Sequence, residues 1–187
     1  MERCRWAEGD PLYKAYHDEE WGVPVCDSKK LFECLMLEGF QAGLSWITIL
    51  RKRENFRAAF DSFDPDIISN WGDQETEPLL QNAGIVRHRG KIEGAFASAR
   101  AWQIIEKEQG FSNFIWGFVD GKPIQNTWSD LSEVPSKSEK AEALSKALKK
   151  QGFKFCGPTI VYAFMQATGL VNDHMLTCPQ HPQNQRR

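Results

Sequence analysis

No stretch of this 187-residue chain approaches the ~18 consecutive apolar residues of a membrane span. Its N-terminus, MERCRWAEGDPLYKAYH, lacks both the apolar core of a signal peptide and the composition of a transit peptide. A cytoplasmic monomer with no membrane attachment is expected. Five cysteines are an odd number at irregular spacing, which argues against a disulfide framework and for metal binding or plain burial. No convincing set of alternating strands appears. Acidic residues are missing from Ala143 to Asn172, where Lys146, Lys149, Lys150 and Lys154 stand without counter-charge in the sequence. The net charge of −2 therefore says less about a nucleic-acid partner than its distribution does. Asp61, Asp64, Asp66, Asp73, Glu75 and Glu77 crowd one region, whereas Arg51-Lys52-Arg53 and Arg87-His88-Arg89 with Lys91 form basic clusters. Solvated helix faces and phosphate-facing surfaces both fit such runs.

With 41% hydrophobic residues the chain can bury one substantial core, so a single domain over 1–187 is expected. The class reads as all-α. Asp27 or Ser28 can cap a helix bearing Leu31, Phe32, Leu35 and Leu37, with Gly39 and Gly43 marking a break or tight packing. SWITIL is rich in β-branched residues, yet Ser45 is a good N-cap and Trp46, Ile49, Leu50, Arg53, Phe56 and Phe60 continue at helical spacing. Further helices are expected over about 65–71, 75–82, 88–107 and 111–118. Residues 120–138 carry Pro123 and Pro135 and read as a long, turn-rich connection. Next comes a helix with Leu144, Ala147 and Leu148 on one face and a capping-box spacing from Ser136 to Glu139. After GFKFCG, Pro158 opens a second apolar helix that Gly169 ends. This helix, hairpin, helix unit spans about 140–168, and the polar tail 179–187 is expected to be disordered, with His181 no ligand.

Four constellations carry chemistry. If their segment is helical, His174 and Cys178 are neighbours on one face, half of a zinc site, and Cys4 and His17 offer the other half from the opposite chain end. Ordinary thiols and surface histidines fit the same residues, since the gap between the pairs matches no standard finger. Glu38 shares a helical sector of ~60° with Leu31, Leu35 and Ala42, which directs a carboxylate inward, where it needs a donor or a ligand. Trp6, Tyr13, Tyr16 and Trp21, followed by Trp46, form either core or a slot for a flat, electron-poor ring. QGFKFCG offers glycines and a helix N-terminus to a phosphate, with Lys154 adding charge.

Four segments, RCRWAEGDPLYKAYHDEEWGVP, LFECLMLEGFQAGLSWITIL, NAGIVRHRGKI and LSKALKKQGFKFCGPTIVYAFMQATGLVNDH, together resemble the 3-methyladenine DNA glycosylase I family. The resemblance runs over nearly the whole chain. It implies an all-helical helix-hairpin-helix DNA glycosylase fold, a structural zinc ion joining the N- and C-terminal segments, and hydrolysis of 3-methyladenine from double-stranded DNA. Carried over by position, it makes Cys4, His17, His174 and Cys178 the zinc ligands. Glu38 becomes the base-recognition and catalytic carboxylate, and Trp6, Tyr16, Trp21 and Trp46 line its pocket. Gly152, Phe153, Lys154, Gly157 and Thr159 become the DNA-backbone surface, and GIVRHRGKI resembles a glycine-bearing segment of the wider superfamily.

Most relatives in that superfamily place a catalytic aspartate after the second hairpin helix in a pattern like V-D-T-H, whereas this chain reads VNDH. The family is considered to lack that acid, so Asp173 receives no role. Nor is there a lysine where strand-cutting relatives keep a nucleophile, and a monofunctional enzyme is expected. Two rivals differ in class. A zinc deaminase matches H-x-E at His17-Asp18-Glu19 but lacks any P-C-x-x-C. A non-catalytic module that binds alkylated DNA is separated only by assaying base release.

Overall fold

The computed structural model describes residues 2–41 and 43–185. A 3-10 turn at Arg5–Ala7 leads into α1 (Pro11–Glu19), whose start is fixed by Pro11 and by the Asp10 carboxylate accepting from the Leu12 and Tyr13 amides. α2 (Ser28–Gln41) begins behind Asp27, whose side chain accepts from the Lys30 amide at 2.8 Å. α3 (Trp46–Ala59) follows Ser45, so helical spacing prevails over the β-branched SWITIL. Next come α4 (Pro65–Ile68), α5 (Asp73–Gln81), α6 (Arg89–Gln109) and α7 (Phe111–Gly117). Beyond the connection stand α8 (Glu139–Gln151), α9 (Pro158–Ala167) and the short α10 (Pro182–Gln185).

α2 is the central element, packed on α3, α6, α7 and α9. Its Leu31, Phe32, Leu35 and Leu37 are buried, as periodicity predicts, and so is Phe40, which meets Phe56 and Phe60 at ring separations of 4.7 and 5.5 Å. A buried aromatic of this kind is worth about 3–5 kcal/mol against alanine. Glu38 lies on the same buried stretch. The flanking position Ala42, used above to orient Glu38, lies outside the described residues.

α8 and α9 pack on each other across the turn 152–157. Gly152 ends α8 at φ +103, and Phe153 turns inward to stack on Phe111 at 5.6 Å. Phe155 turns the other way, onto α6. There a Cβ on Gly94 would lie 2.9 Å from its ring, so only glycine permits this approach. Gly169 ends the unit at φ +70 with its Cα against Val23 and Pro24, where a Cβ would meet backbone at 2.5 Å.

Three expectations change. The cap of α8 is Ser138, whose Oγ accepts from the Ala141 amide, and not Ser136. Starting at Ser138 puts Glu139 and Glu142 in the first turn, where they complement the helix dipole, and leaves Lys137 outside it. The connection 120–138 contains β1 (Ile124–Gln125), which pairs in parallel with β2 (Val171–Asn172), besides a 3-10 turn at Leu131–Glu133. The tail is ordered through Gln185: His181 is buried with Nε2 facing the Asn126 carbonyl at 3.1 Å, and Asn184 donates to the Leu176 and Cys178 carbonyls. Its polar side chains satisfy backbone groups of the segment before it, which composition does not reveal.

Candidate base pocket and metal centre

A cavity of about 280 Å³ opens where α1, α2, α3 and α9 converge. Trp6, Tyr16, Trp21, Glu38 and Trp46 all line it, so the structure gathers every pocket residue expected from the sequence. Glu38 is 4% exposed and makes no hydrogen bond to the described residues, and burial pushes its carboxyl up to about 8. Tyr16, equally enclosed, is held neutral by burial first and then by the adjacent Glu38. Among the described residues, Trp46 Nε1 is the one buried side-chain polar atom without a partner. A carboxyl and an indole N–H thus border the same cavity with their polar groups unmet, in a site enclosed by aromatic rings. Tyr16 and Trp46 already touch, at 5.7 Å and 50°, so they form a tilted corner and not two jaws of a slot. A second cavity of about 260 Å³ shares Tyr16, Glu38 and Trp46 with the first and is bordered by Glu20, Glu33, Arg53 and Arg57.

Trp6 links the pocket to a second centre, contacting Tyr16 at 6.4 Å on one side and His17 at 5.3 Å on the other. Cys4, His17, His174 and Cys178 are buried there, and their donor atoms all lie within 4.8 Å of one another. His17 Nε2 faces His174 Nδ1 at 3.2 Å, Cys178 Sγ is 3.5 Å from each, and Cys4 Sγ is 3.8 Å from His174 Nδ1. Ligands at zinc–nitrogen and zinc–sulfur distances of about 2.0–2.3 Å form tetrahedral edges of about 3.3–3.8 Å, matching these spacings. The remaining contacts fix the tautomers. His17 Nδ1 lies 2.7 Å from the Asp18 carboxylate and His174 Nε2 lies 3.0 Å from the Trp21 carbonyl, so each of those nitrogens donates. Two lone pairs are therefore aimed at each other at 3.2 Å, an arrangement that calls for a cation between them. The Met175 amide donates to Cys4 Sγ at 3.4 Å. The four residues fit a tetrahedral metal ion.

A model of the methyladenine glycosylase family matches residues 6–181. DNA-3-methyladenine glycosylase 1 of Escherichia coli (strain K12) is 55% identical over 185 residues, 98% of this chain and 99% of its own. The chain belongs to the methyladenine glycosylase family. A crystal structure of 3-methyladenine DNA glycosylase I matches with a TM-score of 0.95 and 55% identity, covering 97% of this chain and 100% of that one. A tyrosine-to-phenylalanine variant of 3-methyladenine DNA glycosylase I, solved in complex with 3-methyladenine, matches at 0.94 and 40% identity, covering 97% of this chain and 98% of that one.

In this methyladenine glycosylase family member the expected DNA-backbone residues divide. Phe153 is buried with its amide bonded to the Leu148 carbonyl, and the Gly152 amide closes α8, so both serve the fold and offer no amide to DNA. The Lys154 amide donates to Ser98 Oγ while its side chain stays exposed. At the head of α9, Gly157 makes no amide hydrogen bond to the described residues, and the Thr159 amide, in the first turn, has no acceptor within the helix. Lys146, Lys149, Lys150 and Lys154 enter no ion pair among the described residues. Of the other basic clusters, Arg51 pairs with Asp10, Arg53 with Glu20 and Arg89 with Glu77 and Glu93. The pocket also contains residues that sequence reasoning passed over, Gln41, Leu131, Val134, Ala163 and Gln166, and Asp173, to which it gave no role. Tyr13, noted there only as an aromatic, lines it as well.

Proposed function

We propose that this chain excises 3-methyladenine from alkylated double-stranded DNA by hydrolysing its bond to the sugar, without cutting the strand. The observation that carries this reading is Glu38, a buried carboxyl with no partner among the described residues, at the wall of an aromatic pocket. Alkylation at N3 leaves a purine cationic while it is still attached to the sugar. A cation beside Glu38 favours the ionised form, so carboxylate and cation stabilise each other in a site that excludes water. The Tyr16–Trp46 corner presents ring faces to the base, with cation–π attraction added, and Trp46 Nε1 supplies a donor for its edge. Neutral adenine gives Glu38 no counter-charge and gains none of this.

The damaged nucleotide leaves the duplex to enter the pocket. As the bond from C1′ to the base breaks, its electron pair neutralises the purine, so no general acid is required. Water adds to C1′ of the oxocarbenium-like sugar and loses a proton, which leaves an abasic site. The neutral base then holds Glu38 less strongly and departs. Phosphates bind at the α8–turn–α9 hairpin through the head of α9, including Gly157 and Thr159, with Lys154 adding charge. Cys4, His17, His174 and Cys178 hold zinc; with four protein ligands and no open position, the ion supplies a cross-link between the chain ends. Among the described residues no helix is long and apolar enough to cross a membrane, and we assign a monomer acting in the cytoplasm.

Incubating the protein with methylated duplex DNA and chromatographing the supernatant tests the proposal. Free 3-methyladenine should appear, with strands breaking only after alkali. Tight binding without release would favour a non-catalytic sensor of alkylated DNA.

A further inference from the structure

Asp173 is 1% exposed and borders the base pocket. Its Oδ1 accepts from Asn126 Nδ2 and Trp128 Nε1, each at 2.7 Å, and its Oδ2 accepts from Tyr162 Oη at 2.7 Å and Gln166 Nε2 at 2.8 Å. All four donors are neutral side chains. Two belong to the connection between α7 and α8, and two belong to α9. Because both oxygens are filled by donors, neither is directed at a water molecule or a sugar, which removes Asp173 from the role of a general base.

We propose that Asp173 is a positioning residue for base binding: its carboxylate latches the connection around Asn126 and Trp128 onto α9, and so sets the pocket wall formed by Leu131 and Val134. This rests on the base-pocket reading above. The backbone on either side supports the latch. The Ile124 amide donates to the Leu170 carbonyl, the Asn126 amide to Asn172 and the Leu176 amide to Trp128, so residues 124–128 run against 170–176. From that anchored stretch the chain goes directly into the Leu131–Glu133 turn and Val134, of which Leu131 and Val134 line the pocket. The four bonds are the only side-chain hydrogen bonds that join this stretch to α9 among the described residues. They add side-chain ties to α9 beside main-chain pairing that joins only residues 124–128 to 170–176.

Trp128→Phe tests the latch, since a phenyl ring, smaller than the indole, still packs in the Cys4, Met175, Cys178 cluster while the N–H that Asp173 accepts is lost. The expected result is a rise of about three- to tenfold in the dissociation constant for free 3-methyladenine, the range one net hydrogen bond gives. Amide exchange over 126–134 should quicken, with α9 unchanged, and the single-turnover excision rate constant at saturating enzyme should hold within about twofold. Asp173→Asn should act more weakly than Asp173→Leu. An asparagine can keep its oxygen toward Trp128 and turn its NH₂ to Tyr162 and Gln166, both of which can reorient to accept. Unchanged exchange and affinity in Trp128→Phe overturn the latch, as does a fall in the excision rate constant with both of those unmoved. The exchange measurement needs no ligand, so it decides the latch even where wild-type protein binds no 3-methyladenine, a result that sinks the pocket reading alone.

Discussion

Exchanging Glu38 for glutamine preserves the shape of the side chain and removes its ability to ionise, so the two proteins differ by the free energy of burying one carboxyl. Burial raises that group from about 4.5 to about 8. Between those values the unfolded chain is ionised while the folded protein keeps the proton. The folded state then binds more protons than the unfolded one, and the wild type loses stability as pH rises, by about 1.4 kcal/mol per pH unit. The loss starts near the unfolded value and levels off above the folded one, which bounds it at about 5 kcal/mol. Glu38→Gln has no such slope, and the metal centre and all other titrating groups are common to both proteins and cancel. Urea unfolding of the pair from about pH 5 to about pH 9 should show the variant gaining roughly 3–5 kcal/mol on the wild type across that range. A difference that stays flat, or that grows as pH falls, would show that Glu38 is ionised in the empty pocket and refute its assignment as an unmet buried acid.

Other perturbations probe the remaining parts of the molecule. Metal analysis should return about one zinc per chain, and Cys178→Ala should lose it with a fall in melting temperature on the order of 10 °C; an unchanged melting profile would remove zinc from the fold. Gly169→Ala places a Cβ against Val23 and Pro24 at positive φ and should cost on the order of 3 kcal/mol by denaturant unfolding, whereas a cost under about 0.5 kcal/mol would mean that this contact yields freely. Lys154→Ala should weaken methylated and unmethylated duplex DNA alike and lower the slope of log affinity against log salt by about one, an effect that titrations at several salt concentrations detect.

Much of this architecture is legible in the chain because its helices carry clear periods and stops. Leu31, Phe32 and Leu35 recur at helical spacing, Asp27 sits where a cap belongs, and Gly152 and Gly169 mark the ends that require positive φ. The four metal-site residues are legible as candidates, but the helix that would make His174 and Cys178 neighbours is absent, residues 173–178 being loop and turn, and only the fold brings Cys4 and His17 to them. Asp173 lies beyond such reasoning. Its partners Asn126 and Trp128 are more than forty residues away in a segment without periodicity, so VNDH reads in sequence only as a missing catalytic acid. The tail misleads for a related reason, because polar composition does not distinguish side chains in water from those, like Asn184, that satisfy buried carbonyls.

Single-turnover release of 3-methyladenine from duplex DNA carrying that base, compared between wild type and Glu38→Gln, tests the central claim most directly. The wild type should release the base, and the variant should do so on the order of 100-fold more slowly while keeping its zinc and its fold. Equal rates in the two proteins would contradict the assignment of Glu38 as the group that recognises the cationic base.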